Sequence, residues 1–313
     1  MNITLKKSLA FLLSIVLLFT SLGVVAFAQD AVTPSDDSMF YTEGDYSIHY
    51  KVVKAEGEKI GQIMFVHGFI YSGSTWNGMA EIMSKQGYDC YLIDLPNYGY
   101  STRENPDMNL IDREDLVVHL METVAPLDQW ILAGHSMGGG VSMNIACDHP
   151  ELKALMLFCP SEINFAGGSM SGSFTSSNIL MKMMTGIMNA VLRNKLLVRF
   201  AVFAVTKDMS YAKQYNTDIL TAPLLIEGTI PGIFFSSANA RPTDLDKISE
   251  IAVPTMLVWA DGDNVINDTM TENITSALAS ADVRTVKGSH IVIETNPAEV
   301  AELALSFLGE NVK

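Results

Sequence analysis

A serine does nucleophilic chemistry when a base takes its proton, an acid holds that base, and amide donors receive the oxyanion. The 313-residue chain places one serine in such a setting. The apolar run Trp130 to Ala133 stops abruptly at Gly134-His135-Ser136-Met137-Gly138, and the segment Val141 to Cys147 is helix-compatible. Gly-x-Ser-x-Gly between a strand and a helix is a nucleophile elbow. The serine of an elbow sits on a strained turn, so the positions two before and two after it must lack bulk. Gly134 and Gly138 meet that need. The turn lifts the Ser136 hydroxyl out of the sheet, and the following helix aims its positive end at the reacting centre.

Where the nucleophile rides an elbow, the acid and then the base follow it along the chain. Of the two histidines beyond Ser136, His149 sits at the end of the helical segment that follows it, whereas His290 lies in Lys287-Gly288-Ser289-His290, just past the strand-like Val283 to Val286. His290 is the expected base. The acid is expected in Val258-Trp259-Ala260-Asp261-Gly262-Asp263-Asn264-Val265, where Asp261 and Asp263 both qualify. Asp263 is favoured because Val265-Ile266 would pack back on the sheet, whereas Asp261 before Gly262 has the character of a turn former. The oxyanion needs two backbone N–H groups. Met137, next to the nucleophile, is one candidate. Phe69, after the strand-like Ile60 to Val66 and the small Gly68, is the other. His67 is expected to hydrogen-bond within that loop, His135 to fill the elbow's variable slot, His119 to sit on a helix face and His49 on an early strand.

The elements that would position these groups alternate. Buried-strand runs at Ile60 to Val66, Asp89 to Leu95, Trp130 to Ala133 and Leu155 to Phe158 are separated by helical patterns over Trp76 to Gln86 and Asp112 to Ala125. That spacing predicts a mostly parallel α/β sheet covered on both faces. It breaks near Pro160 and resumes at Thr255 to Trp259. Between them lie a Gly/Ser-rich stretch, Gly167 to Ser177, and an apolar, methionine-rich helical run that includes Met181, Met183, Met184 and Met188. The expected organisation is a core of residues 45–160 and 246–313, with a helical lid inserted over 161–245. Adaptable methionine surface suits loosely shaped apolar ligands.

His67-Gly68-Phe69, Gly134-His135-Ser136-Met137-Gly138-Gly139, Asp261-Gly262-Asp263 and Gly288-Ser289-His290 together resemble the α/β-hydrolase superfamily. Asp94 to Ser101 resembles the family's D-x-x-G-x-G-x-S loop, with Asn97 where glycine is usual, a residue that tolerates a left-handed backbone. Ala260 and Ser289 are further departures from the motifs. The resemblance covers about 45–160 and 245–310 and implies an α/β-hydrolase fold. A serine nucleophile sets aside the branches that attack through aspartate. The elbow and its loop are most similar to monoacylglycerol lipase and lysophospholipase-like serine hydrolases, which implies a carboxylic-ester hydrolase acting on an apolar, lipid-like small molecule. Peptidase, perhydrolase and carbon–carbon bond hydrolase chemistry stay open, as does a non-catalytic binding protein on this fold. No cofactor or metal is expected, since no Cys or His pair has ligand spacing. Cys90, Cys147 and Cys159 read as small buried hydrophobes.

The N-terminus reads as a secretory signal: Lys6-Lys7, an apolar run from Leu9 to Val25, and Ala26-Phe27-Ala28 before Gln29. Cleavage after Ala28 implies secretion; an uncleaved segment would tether the chain to a membrane. Residues 29–44 read as a flexible leader. No other run suggests an integral membrane segment. The formal charge is −15, and −17 without Lys6 and Lys7, which argues against a nucleic-acid partner and against attraction of the chain as a whole to anionic bilayers. Oligomeric state is left open by the sequence.

Overall fold

A computed structural model describes residues 34–163 and 179–312. The expected signal peptide, the first residues of the leader and the Gly/Ser stretch at 167–177 lie outside them. Eight strands form one sheet: β1 (Met39–Glu43), β2 (Tyr46–Val53), β3 (Gly61–Val66), β4 (Tyr88–Ile93), β5 (Trp130–His135), β6 (Ala154–Phe158), β7 (Thr255–Ala260) and β8 (Asp282–Val286), in spatial order β1-β2-β4-β3-β5-β6-β7-β8. β1 and β2 pair antiparallel, as do β2 and β4; every other pairing is parallel. The core helices are α1 (Asn77–Lys85), α2 (Arg113–Val124) and α3 (Met137–Asp148). Between β6 and β7 come α4 (Ile179–Leu192), α5 (Lys195–Thr206), α6 (Met209–Gln214), α7 (Thr217–Leu224), α8 (Thr229–Asn239) and α9 (Leu245–Ile248). The last helices are α10 (Asp268–Ala277), α11 (Val292–Thr295) and α12 (Pro297–Asn311).

The central strands are apolar on both faces because helices cover both. Ile63, Phe65, Ile131, Ala133 and Phe158 pack against Met79 and Met83 of α1 and Val300 and Phe307 of α12. Their alternates Met64, Val66, Leu132 and Leu157 pack against Leu116 of α2 and Val141 of α3. β4 and β5 lie on opposite sides of β3, so the chain reverses its direction of progress across the sheet there. The crevice of an open α/β sheet forms beyond the strand ends at such a reversal. The ends of β3 and β5 carry Phe69 and Ser136.

One expectation is corrected. Residues 39–43, read as the end of a flexible leader, form β1, which pairs residue for residue with β2 from Met39↔Tyr50 to Glu43↔Tyr46. Met-Phe-Tyr-Thr-Glu is β-prone once a partner strand exists, and Gly44, at φ 54°, makes the tight return. The Glu43 carboxylate also accepts from His119 Nδ1 on α2 at 2.9 Å, which ties β1 to the core.

Candidate active site

The elbow follows from local sterics. Ser136 adopts φ 52°, ψ −121°, a backbone conformation that costs a non-glycine residue about 1–3 kcal/mol. A Cβ on Gly134 would lie 2.4 Å from the Gly138 carbonyl oxygen, and one on Gly138 would lie 2.3 Å from that of Val66. The Ser136 carbonyl accepts from Gly139 N at 2.8 Å and Ser161 N at 2.9 Å, which over-determines the turn.

Three side chains from three strand ends meet at Ser136. His290 Nε2 lies 2.9 Å from Ser136 Oγ, and His290 Nδ1 lies 2.8 Å from Asp263 Oδ2. A carboxylate only accepts, so Nδ1 carries the proton and Nε2 is free to accept the serine's. Asp263 Oδ1 accepts from the amides of Val265 at 2.8 Å and Ile266 at 3.0 Å, fixing the carboxylate's orientation. Burial pushes the Asp263 carboxyl up, but His290 and these amides outweigh it and hold it below its ordinary value. Asp261 is exposed and does something else: its Oδ1 accepts from Gly288 N at 3.1 Å, closing the turn that presents His290. The structure thus brings Ser136, His290 and Asp263 into one row and leaves Asp261 outside it.

Met137 opens α3, where the first N–H groups have no intrahelical partner. Phe69 follows Gly68, and a Cβ on Gly68 would come within 3.1 Å of Ser136 Cβ, so this loop lies directly against the nucleophile. His67 is neutral by geometry. Its Nδ1 donates to the Gly68 carbonyl at 2.7 Å and its Nε2 accepts from Leu95 N at 3.1 Å, and burial depresses its pKa. His135 donates from Nε2 to the His290 carbonyl at 2.8 Å and packs its ring 4.9 Å from the His290 ring. Burial, then the neighbouring His290, pushes His135 down to about 3, so it stays neutral. The residue before Ser136 therefore holds the backbone of His290.

Two polar clusters escaped sequence reading. His49 Nδ1 donates to Asp94 Oδ2 at 2.7 Å, while Asp94 also accepts from Gly73 N at 2.7 Å and Tyr100 N at 2.9 Å. This buried carboxylate knits the loops after β3 and β4 together. Asn97, in the second of these loops, has φ 74°, the left-handed backbone its position asks for. The other cluster joins the lid to the site. Glu294 of α11, four residues past His290, faces the Tyr211 and Tyr215 hydroxyls of the α6 region, and burial pushes its carboxyl up to about 7. Arg103 adds a second lid contact, donating to Thr229 Oγ1 at 2.9 Å and the Pro223 carbonyl at 3.1 Å, and Asn264 a third, donating to the Ala204 carbonyl at 2.8 Å.

Among the described residues, one group of Cys, His and carboxylate atoms is compact enough to share a cation: Cys159, Asp263 and His290, within 4.8 Å of one another. Two of these already share a proton contact, so a cation there would have to displace the proton on His290 Nδ1.

The chain belongs to the α/β hydrolase fold family, whose pattern it matches over residues 62–297. It is similar to the monoacylglycerol lipase ABHD6 of Homo sapiens, 23% identical over 279 residues, covering 84% of this chain and 80% of that one. It is also similar to Lipase 3 of Moraxella sp. (strain TA144), 26% identical over 268 residues, covering 80% and 74%. Among solved structures, the enol-lactonase of Burkholderia xenovorans LB400 superposes with a TM-score of 0.68 at 13% identity, over 87% of this chain and all of that one. With its elbow serine and these relatives, the chain is a serine hydrolase.

Proposed function

We propose that the chain hydrolyses carboxylic esters of apolar, lipid-like acyl substrates through Ser136, His290 and Asp263. The row Asp263–His290–Ser136, with contacts of 2.8 and 2.9 Å, carries this reading. His290 Nε2 takes the Ser136 proton as Oγ attacks the ester carbonyl. The Phe69 and Met137 amides receive the oxyanion, and Asp263 stabilises the imidazolium. His290 then protonates the departing alcohol, and water, activated by the same nitrogen, frees the acyl group. The relatives named as lipases support the ester class, and the methionine-rich α4 supports an apolar acyl chain.

The test is a fluorophosphonate probe followed by p-nitrophenyl esters of increasing acyl length. Ser136 should be labelled in the native chain and not after denaturation, and ester turnover should vanish in Ser136→Ala. Native protein that labels no better than denatured protein would overturn the triad. Aminopeptidase activity without ester turnover would move the chain to peptidase chemistry.

We further propose that the chain is secreted after cleavage behind Ala28. N-terminal sequencing of protein recovered from the medium should begin at Gln29. Recovery only from membranes, with residues 1–28 intact, would make it a tethered enzyme instead.

A further inference from the structure

The chain carries 35 acidic and 20 basic residues, yet the lid reverses that balance. From residue 179 to 215, through α4, α5 and α6, there are six basic residues (Lys182, Arg193, Lys195, Arg199, Lys207 and Lys213) and a single acid, Asp208. The nearest further acid, Asp218, pairs with Lys195 at 2.9 Å. The same segment exposes large apolar side chains. On α4, Leu180 is 53% and Met183 60% exposed, while Met181 and Leu192 face inward. On α5, which packs against α4, Leu196 is 75% and Phe200 60% exposed, one turn apart, while Val198 and Val202 face inward. Burying such side chains against water-excluding matter is favourable, so a row of them this exposed marks a surface with a partner.

We infer that the outer face of α4 and α5 docks on an anionic lipid surface. Charge selects this occupant. An acidic body is repelled by an anionic surface while the basic lid is drawn to it, so electrostatics alone orients the molecule lid-first. Apolar side chains interleaved with lysine and arginine are the composition of an interfacial helix. The lid is also fastened to the catalytic loops: Asn264, next to Asp263, donates to the Ala204 carbonyl of α5, and Glu294 faces Tyr211 and Tyr215. Phe69 and Val265, on the oxyanion and acid loops, are 43% and 50% exposed. Docking therefore brings the catalytic end of the sheet toward the surface. This inference gives the ester reading a source of lipid-like substrate but does not depend on it, since binding is measured apart from turnover.

The experiment is co-sedimentation of the chain from Gln29 onward, which contains every described residue, with vesicles of phosphatidylcholine alone or with roughly a third phosphatidylglycerol. Partitioning should be at least about tenfold stronger on the anionic vesicles and should fall steeply in 0.5 M salt. Leu196→Ser with Phe200→Ser should lower it by about tenfold or more, as should Lys182→Glu with Lys213→Glu. Turnover of soluble p-nitrophenyl butyrate should stay unchanged in both pairs, which shows that they fold. No binding to anionic vesicles, equal binding to neutral ones, or unchanged binding by both pairs overturns the inference. So does a dimer in gel filtration that Leu196→Ser with Phe200→Ser dissolves, because the face would then belong to a second copy. Binding without hydrolysis of any ester would leave the surface standing and remove the ester reading; the reverse result would remove the surface alone.

Discussion

Asp263→Asn is the sharpest test of the site, because it changes hydrogen-bond polarity and almost nothing else. The amide oxygen can keep accepting from Val265 and Ile266, now 2.8 and 3.0 Å from Oδ1. That leaves the amide NH₂ at the position of Oδ2, 2.8 Å from His290 Nδ1. Two donors cannot face each other at that distance, so the imidazole must carry its proton on Nε2 instead. Nε2 then points a hydrogen at Ser136 Oγ and cannot take one. A base held in the wrong tautomer costs about 10⁴-fold, roughly 5 kcal/mol of transition-state stabilisation. Asp261→Asn keeps an oxygen for the Gly288 amide and should cost less than about threefold. The assay is kcat/KM on p-nitrophenyl butyrate, with thermal melting to show both variants folded. An equal loss at the two positions, a larger loss at Asp261, or more than about a tenth of the activity left in Asp263→Asn would refute the assignment.

Three further outcomes follow from the packing. Gly138→Ala should destabilise the protein by on the order of 3 kcal/mol and abolish turnover, because its Cβ falls 2.3 Å from the Val66 carbonyl and 2.5 Å from that of His67; chemical denaturation reads the first effect. Glu294 keeps its proton more tightly folded than unfolded, with a carboxyl moved from 4.5 to about 7. Its stabilising contribution is therefore complete below pH 4.5 and lost as pH rises to about 7. Glu294→Gln should accordingly gain in Tm relative to the parent between pH 5 and pH 8, and a constant difference would contradict the shift. Arg103→Met removes the donor to Thr229, Pro223, Gly99 and Ser101 and should cost on the order of 3 kcal/mol, with proteolysis appearing first in α7 and α8.

The elbow was legible in the sequence because its determinants are contiguous: two glycines, a serine, and a change from strand to helix within a few residues. The sheet was legible for a related reason, since strands buried on both faces are short unbroken apolar runs. Choosing Asp263 over Asp261 as the candidate acid used only the residues just after it, and those two amides are the ones its carboxylate accepts. What stayed hidden depends on pairing across the chain. His49 and Asp94 are 45 residues apart, and nothing near either names the other. Glu294 meets Tyr211 and Tyr215 only once the lid lies over the base loop. β1 was hidden by composition, because an acidic, proline-containing approach masks a β-prone pentapeptide whose partner strand follows it.

The hydrogen bond from His135 to the His290 carbonyl spans 155 residues. It joins an early-made part of the fold to a late-made one. When the elbow is first synthesised, the histidine and the carboxylate that will lie beside Ser136 do not yet exist. Its sheet still lacks β7 and β8, and one face still lacks α12. The row from Asp263 through His290 to Ser136 can form only after residue 290 has been made and β7 and β8 have joined the sheet. The late placement of His290 thus acts as a timer: the contact at Ser136 Oγ is made only once nearly the whole chain is present.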